Sequence, residues 1–158
     1  MTKIRADLVD AYLFRRDANG AVELLQLRRT GEPLGGTWQP VMGHIGQGET
    51  AVACMRREVA EETGLTVSDA LGAWALEQVH PFFLAARDEI VMSPRFAVEV
   101  GAAWEPTLND EHDAHRWVPI DEANDRFLWP GQHAAIAELC SMLGDPDRPA
   151  SLQLAPDP

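Results

Sequence analysis

The chain is poor in the residues and patterns that define several protein classes. Its 158 residues include only two cysteines, Cys54 and Cys140, and no Cys-x-x-Cys spacing. We therefore expect two buried free thiols rather than a zinc site or a disulfide framework. No apolar run reaches the roughly 18 residues that a membrane span needs, and the N-terminal "MTKIRADLVD" lacks the apolar core of a secretory signal. A soluble, cytoplasmic protein is expected.

Basic residues are also scarce. The 13 lysines and arginines face 25 aspartates and glutamates, which gives a formal net charge of -12. Nucleic acid is therefore not expected as a partner, because its phosphates need basic patches. An acidic protein can still bind a small polyphosphate if divalent cations bridge the like charges. The length predicts a single domain over residues 1–143, followed by a proline-rich, loosely packed tail over 144–158.

The order of apolar patterns predicts a mixed α/β (α+β) domain. Alternating segments at 6–16 and 21–29 flank Asn19-Gly20, which is typical of a β-hairpin. A helix is predicted within 49–63, ended by Gly64. The remaining predicted elements are strands at 38–45, 70–85, 89–100 and 115–120, and helices at 121–127 and 132–143, the last with Ile136, Leu139, Cys140 and Leu143 on one face.

Three carboxylates crowd the end of the first predicted helix. With 100° per residue, Glu58, Glu61 and Glu62 share an arc of about 100° beside the buried stripe. Like charges at this spacing repel by a few tenths of a kcal/mol in water and by more when partly buried. A divalent cation, which prefers oxygen ligands, would offset that repulsion, and Arg57 could hold a carboxylate in place. A solvated acidic face is the alternative, and the carboxylates alone do not decide between the two.

The spacing around these acids decides the question. Gly43, five residues, Glu49, seven residues and then "REVAEETGL" over 57–65 match the Nudix box at every defining position. A chance match should occur in roughly one in 10⁹ windows at average residue frequencies. The chain therefore resembles the Nudix hydrolase family.

This resemblance implies a mixed β-sheet between helices and an enzyme that hydrolyses a nucleoside diphosphate linked to another group. It implies Mg²⁺ or Mn²⁺ as cofactor, which shields phosphate charge and lowers the pKa of a bound water. By position, Glu58, Glu61 and Glu62 resemble metal ligands, one of them a candidate base. Arg57 would orient a carboxylate, and Gly43 would let its backbone approach the ion. Glu49 would hold the loop or coordinate through water.

Residues outside the box supply further candidates. Arg28 and Arg29 could clamp terminal phosphates, unless one of them is only a solvated strand end. Trp38 could stack on a base or pack in the core.

A further carboxylate is expected from the loop before the strand at 115–120. Glu111 is the candidate for metal ligand or base, with Asp110 and Asp113 as rivals and a plain acidic turn as the alternative. Among the scattered histidines, His44 inside the box is the one expected near the site.

Four stretches suggest a substrate class. "LLQLRRT", "TWQPVMGHIGQGET", "EHDAHRWV" and "LWPGQHAAIAEL" are similar to the bacterial dihydroneopterin triphosphate pyrophosphohydrolase group, although Pro130-Gly131 depart from its pattern. We predict a Mg²⁺-dependent pyrophosphohydrolase for a nucleoside triphosphate or dihydroneopterin triphosphate, as a monomer or homodimer. The alternatives are a hydrolase of ADP-ribose or another nucleoside diphosphate derivative, and a non-catalytic nucleotide sensor.

Overall fold

The fold is a mixed β-sheet with helices on both faces. This computed structural model describes residues 1–66, 69–145, 147 and 153–155. None of the helices in these ranges is long and apolar enough to cross a membrane. The strands are β1 (Lys3–Arg5), β2 (Leu8–Arg16), β3 (Val22–Arg29), β4 (Trp38–Gln39), β5 (Val41–His44), β6 (Gly72–Leu76), β7 (Phe82–Leu84), β8 (Glu89–Val91), β9 (Arg95–Glu99) and β10 (His112–Pro119), and the helices are α1 (Ala51–Thr63), α2 (Ala123–Arg126) and α3 (Pro130–Gly144).

Strands β2 and β3 form the predicted hairpin. Gly20 adopts a φ of 81°, a conformation that favours glycine, and its N–H donates to the carbonyl of Asp17 at 3.0 Å. Within the described ranges the central sheet runs β10-β3-β2-β9-β6. Both arms of the hairpin therefore lie in the middle of the domain.

The end of the hairpin away from the turn is wedged open by β4 and β5. There β2 pairs with β5 over residues 8–11, while β3 pairs with β4 at Leu27 and Arg28. Pro40 has no N–H to donate, so it divides the single strand predicted at 38–45 into two short ones. This wedge carries Gly43 and His44 to the loop that opens α1.

Two apolar layers sandwich the sheet. Leu25 and Leu27 of β3 pack toward α1 with Met55 and Val59, whereas Leu24 packs toward α3 in a second cluster. Successive residues of a strand point to opposite faces, so each strand contributes to both layers. These layers confirm the mixed sheet between helices.

The prediction of two buried thiols is half right. Cys54 is buried in the α1 layer, but Cys140 is exposed. The buried residues of α3 include Gln132, Ala135 and Leu139, so its buried stripe is centred away from Cys140. A thiol one position past the centre of that stripe lies at its solvent edge.

Two long predicted strands are each divided in the structure. The segment 70–85 forms β6 and β7, and 89–100 forms β8 and β9, with Pro81 and Pro94 next to the breaks. β7 and β8 lie outside the central sheet: β8 pairs with β1 on one side and with β7 on the other, which makes a separate three-stranded sheet.

Part of the C-terminal tail is packed rather than loose. The N–H of Leu154 donates to the carbonyl of Ala73 at 2.8 Å, and its side chain packs against the α1 layer. Gln153 pairs with Trp74 at the free edge of β6. The prediction of a loosely packed tail is therefore wrong for residues 153–155, and most of the rest of the tail lies outside the described residues.

Candidate active site

Helix α1 presents the box carboxylates at different depths. Thr50 caps its start by accepting the N–H of Ala53 at 3.1 Å, and Gly64 ends it with a φ of 73°. The side chain of Glu61 is 56% exposed, that of Glu58 is 13% exposed and that of Glu62 is 3% exposed. The three carboxylates therefore lie at increasing depth, from Glu61 in solvent through Glu58 to Glu62 at the edge of the core.

Arg57 ties the box together. Its Nη1 donates to Glu58 Oε1 at 2.7 Å and to Glu61 Oε2 at 3.2 Å. Its Nε donates to Glu49 Oε1 at 2.9 Å, and its Nη2 to the carbonyl of His44 at 3.0 Å. The guanidinium thus supplies the positive charge that the clustered acids need, and it orients both Glu58 and Glu61.

Glu49 holds the loop that precedes α1. Its Oε2 accepts the N–H of Gly46 at 2.7 Å and Nη2 of Arg57 at 3.0 Å. The hydrogen bond from Arg57, followed by that from Gly46, lowers the pKa of Glu49 to about 2. This geometry matches the loop-holding role given to Glu49 above.

Gly43 makes room for Glu58. A Cβ on Gly43 would lie 1.9 Å from the carboxyl carbon of Glu58, which is far inside contact distance. The Glu58 carboxylate therefore lies directly over the backbone of β5. Any side chain at residue 43 would displace that carboxylate.

Glu62 is the most constrained of the acids. The backbone N–H of Met42 donates to its carboxyl group, but its buried Oε2 has no hydrogen-bond partner in the part of the chain that is described. Burial, followed by the charges of Glu58 and Glu111, raises the pKa of Glu62 to about 9. A buried acceptor without a partner, beside two further carboxylates, is a place where a cation would be stabilised.

The same pKa effect locates Glu111. Its charge raises the pKa of both Glu58 and Glu62, and it reaches them from the loop before β10 rather than from α1. Its rival Asp113 instead accepts two hydrogen bonds from Arg28, at 2.6 and 3.0 Å. Of these two acids, Glu111 is the one that the fold brings toward the box.

A histidine that the sequence did not single out lies beside Glu62. His112 Nε2 is 4.0 Å from Glu62 Oε2 and 3.4 Å from Gln39 Nε2. Burial lowers the pKa of His112, which favours the neutral ring. The predicted His44 also lies at the box, because its carbonyl accepts Arg57 Nη2, but its ring turns to the carbonyl of Asp7. His44 is therefore not the one histidine near the site. His112 was missed because β10 begins three residues before the predicted strand.

The two neighbouring arginines of β3 point to opposite faces. Arg29 follows the α1-facing Leu27, and its charge acts on Glu62 and His112. Arg28 lies on the α3 side and is engaged by Asp113. The structure therefore brings Arg29 to the carboxylates and separates Arg28 from them.

Trp38 lies away from the carboxylates. It pairs with Arg28 in the sheet, and the guanidinium of Arg116 covers its ring at 4.2 Å from the centroid. The side chain is neither fully buried nor freely exposed. At least one face of the ring is thus already occupied by an arginine.

The oxygen donors in the cleft fit a hard divalent cation, although in this structure Arg57 provides the positive charge that pairs with the carboxylates. Across the described ranges, no three Asp, Glu, His or Cys side chains are arranged to hold a metal ion. Two of the acids, Glu58 and Glu61, are turned to Arg57 instead. The unpartnered oxygen of Glu62 and the all-carboxylate donor set nevertheless suit Mg²⁺ or Mn²⁺.

Comparisons with known proteins agree with this geometry. The NUDIX domain family matches residues 6–139. The chain is 35% identical over 117 residues to a Myxococcus xanthus protein named octanoyltransferase, a match that covers 72% of this chain but only 31% of that protein. It is 26% identical over 113 residues to the asymmetrical bis(5'-nucleosyl)-tetraphosphatase of Rattus norvegicus, covering 66% of this chain and 73% of the rat protein.

A solved structure shares the fold. The dihydroneopterin triphosphate pyrophosphohydrolase of E. coli superposes with a TM-score of 0.71 at 20% identity, over 87% of this chain and 97% of the other. With a complete box on α1 and a family match over residues 6–139, the chain belongs to the Nudix hydrolase family.

Proposed function

We propose that the chain is a divalent-metal-dependent pyrophosphohydrolase that cleaves a phosphoanhydride bond of a nucleoside triphosphate or a dihydroneopterin triphosphate. The observation that carries this proposal is the buried, unpartnered oxygen of Glu62, which lies close to Glu58 and Glu111. Arg29 adds a cation at the same cleft. A polyphosphate and a cation together would balance this set of charges, whereas a neutral ligand would leave the carboxylates uncompensated.

Each residue of the cleft has a defined task in this proposal. Glu58, Glu61, Glu62 and Glu111 would hold Mg²⁺ or Mn²⁺, which when bound shields the phosphate charge and acidifies a water. Arg57 holds Glu58 and Glu61 in place.

Proton transfer and substrate contact are assigned to Glu58, Glu111 and Arg29. Glu58, whose pKa is raised by burial, and Glu111 are the candidates to take a proton from the attacking water. Arg29 would contact the phosphates on the substrate side.

The substrate class rests on two relatives of different kinds. The fold is shared with an enzyme whose name specifies dihydroneopterin triphosphate. The 26% identity to a bis(5'-nucleosyl)-tetraphosphatase makes a dinucleoside polyphosphate the second candidate. Both are polyphosphates attached to a heterocyclic group, and they differ in what lies beyond the last phosphate.

A substrate panel tests the proposal. Nucleoside triphosphates, dihydroneopterin triphosphate, diadenosine tetraphosphate and ADP-ribose are incubated with the chain and Mg²⁺, and the products are identified by phosphorus NMR. We expect pyrophosphate and a monophosphate from a triphosphate. Glu58→Gln, purified identically, controls for contaminating phosphatases. Tight binding of one compound without any cleavage would instead support the sensor, and no reaction or binding across the panel would reject the proposal.

The two arginines of β3 should differ in effect. Arg29→Ala should raise the KM for a triphosphate by about tenfold, roughly 1.4 kcal/mol, because it removes the cation that β3 presents to the cleft. Arg28→Ala is the matched control, and it should change KM less than about threefold because Asp113 already engages that guanidinium. Steady-state kinetics of both variants measure this. A larger effect for Arg28→Ala would place the phosphates on the α3 side of the sheet.

A further inference from the structure

A recess on the α3 side of the sheet lies outside the carboxylate cleft. Its volume is about 180 Å³. It is lined by Arg116, Trp117, Val118, Pro119, Glu122 and Arg126. Arg116 pairs with Gln26 in the sheet, three residues along β3 from Arg29, which is about 10 Å at the usual rise of a strand. The recess and the cleft are therefore separated both by distance and by the sheet itself.

Arg116 is held rigidly at this recess by neutral groups. Its Nε donates to the buried Gln26 Oε1 at 2.8 Å, and its guanidinium stacks on Trp38 at 4.2 Å. Gln26 also donates to the carbonyl of Arg126 at 3.1 Å, which fixes α2 beside the same group. The plane of the Arg116 guanidinium is thus set before any ligand arrives, and none of its contacts with the described residues supplies a negative charge.

This lack of a carboxylate partner is unusual in a chain with almost twice as many acids as bases. Within the described residues no ion pair is recorded for Arg116. Seven other arginines each have a carboxylate partner, namely Arg5, Arg15, Arg16, Arg28, Arg57, Arg95 and Arg126.

The charges around the recess do not balance. Arg126 is paired with Glu122 at 3.2 Å, which leaves one net positive charge among the three ionisable side chains that line the recess. Burial, followed by the charge of Arg126, lowers the pKa of Arg116. Arg116 stays protonated despite its burial and the nearby charge of Arg126, so a bound anion would stabilise it.

We propose that Arg116, supported by Arg126, forms a second anion site that takes a phosphate or pyrophosphate group. Among the described residues its hydrogen bond to Gln26 uses Nε, so the planar guanidinium can present its Nη donors in the fork geometry that phosphate oxygens accept. The group is either a phosphate of a nucleotide that binds at the recess itself, separately from the cleft, or a free phosphate such as the product of the proposed function. Anion binding itself needs no hydrolysis.

Calorimetric titration of the full chain with sodium pyrophosphate tests the site. The buffer is stripped of metal on a chelating resin and kept at low ionic strength, so that the carboxylates of α1 repel the anion. We expect wild-type protein to bind and Arg116→Gln to bind at least about fivefold more weakly. Arg126→Gln should weaken binding about twofold, and added salt should weaken it in every protein.

Two control variants test whether weaker binding reflects only the loss of a positive charge on the protein, or binding in the carboxylate cleft. Arg16→Gln removes the same charge from an arginine paired with Glu99, and Arg29→Gln removes the cation of the cleft; both should bind pyrophosphate as wild type does. Unchanged affinity in Arg116→Gln, or no wild-type binding up to about 10 mM, would overturn the proposal. If Arg116→Gln does not fold, unchanged affinity in Arg126→Gln overturns it.

A competition arm distinguishes the two sources of the anion. Without metal the chain should not hydrolyse ATP, so pyrophosphate is titrated again with ATP present. If ATP competes and Arg116→Gln weakens ATP binding to the same extent, the site takes the phosphates of a nucleotide. If ATP leaves pyrophosphate binding unchanged, the site takes a free anion. Either result supports the anion site. If the chain proves not to hydrolyse any substrate, the proposed function fails but the anion site does not.

Discussion

Removing divalent cations should abolish hydrolysis and leave the fold intact. Without an ion, the charges of Glu58 and Glu111 would repel the phosphates, and no water in the cleft would be acidified. We expect a loss of at least about a thousandfold in kcat, roughly 4 kcal/mol of barrier. The fold should survive because Arg57 already holds Glu49, Glu58 and Glu61.

The measurement pairs activity with stability. The chain is stripped of metal, the residual metal is measured by elemental analysis, and turnover and thermal unfolding are followed as Mg²⁺ or Mn²⁺ is added back. Activity should return with the ion, and the unfolding temperature should rise because the ion binds only the folded state. Full turnover by the stripped protein would contradict the metal requirement. Unfolding on stripping would show that the ion is needed for structure as well.

The box was predictable because its geometry is local. The positions of Glu58, Glu61 and Glu62 depend only on the period of one helix, and the ends of that helix depend on Thr50 and Gly64. The hairpin at Gly20 is local in the same sense. Sequence spacing alone therefore placed the three carboxylates together beside the buried stripe, whereas their different depths emerge only from the structure.

The other side of the cleft was not predictable in this way. Arg28 and Asp113 are 85 residues apart, and their pairing depends on a register shift between His112 and Ala114 where β10 meets β3. That register decides which face of the sheet each β10 side chain takes, and therefore that Asp113 meets Arg28, since a shift of one residue reverses every side chain. It also places Arg116 over Trp38, which the sequence could only describe as a base-stacking or core residue.

Glu62→Gln should have opposite effects on activity and on stability at high pH. As a proposed ligand of the ion, Glu62 acts in the reaction, and its loss should lower kcat by at least about a thousandfold. In the metal-free protein the same residue is a buried acid with a pKa of about 9. Glutamine has the shape of the protonated acid and carries no charge. The variant therefore avoids the free-energy cost of burying a carboxylate charge, which destabilises the wild-type fold when Glu62 ionises.

The sign of the pH effect follows from proton binding. The pKa of Glu62 is raised from 4.5 in the unfolded chain to about 9 in the fold. Between these values the folded state holds a proton that the unfolded state has lost, so wild-type stability falls as pH rises through this window. The free energy of unfolding of Glu62→Gln, relative to wild type, should therefore increase from pH 5 to pH 9, by an amount of order a few kcal/mol.

Denaturant unfolding at several pH values, in metal-free buffer, measures this difference. Glu99→Gln on β9 serves as the control for removing a carboxylate, because Glu99 pairs with Arg16. That control should keep wild-type turnover. If Glu62→Gln keeps wild-type kcat, Glu62 is no ligand of a catalytic ion. If its unfolding free energy tracks that of wild type at every pH, Glu62 is already ionised in the fold, and the cation site inferred from its unpartnered oxygen loses its main support.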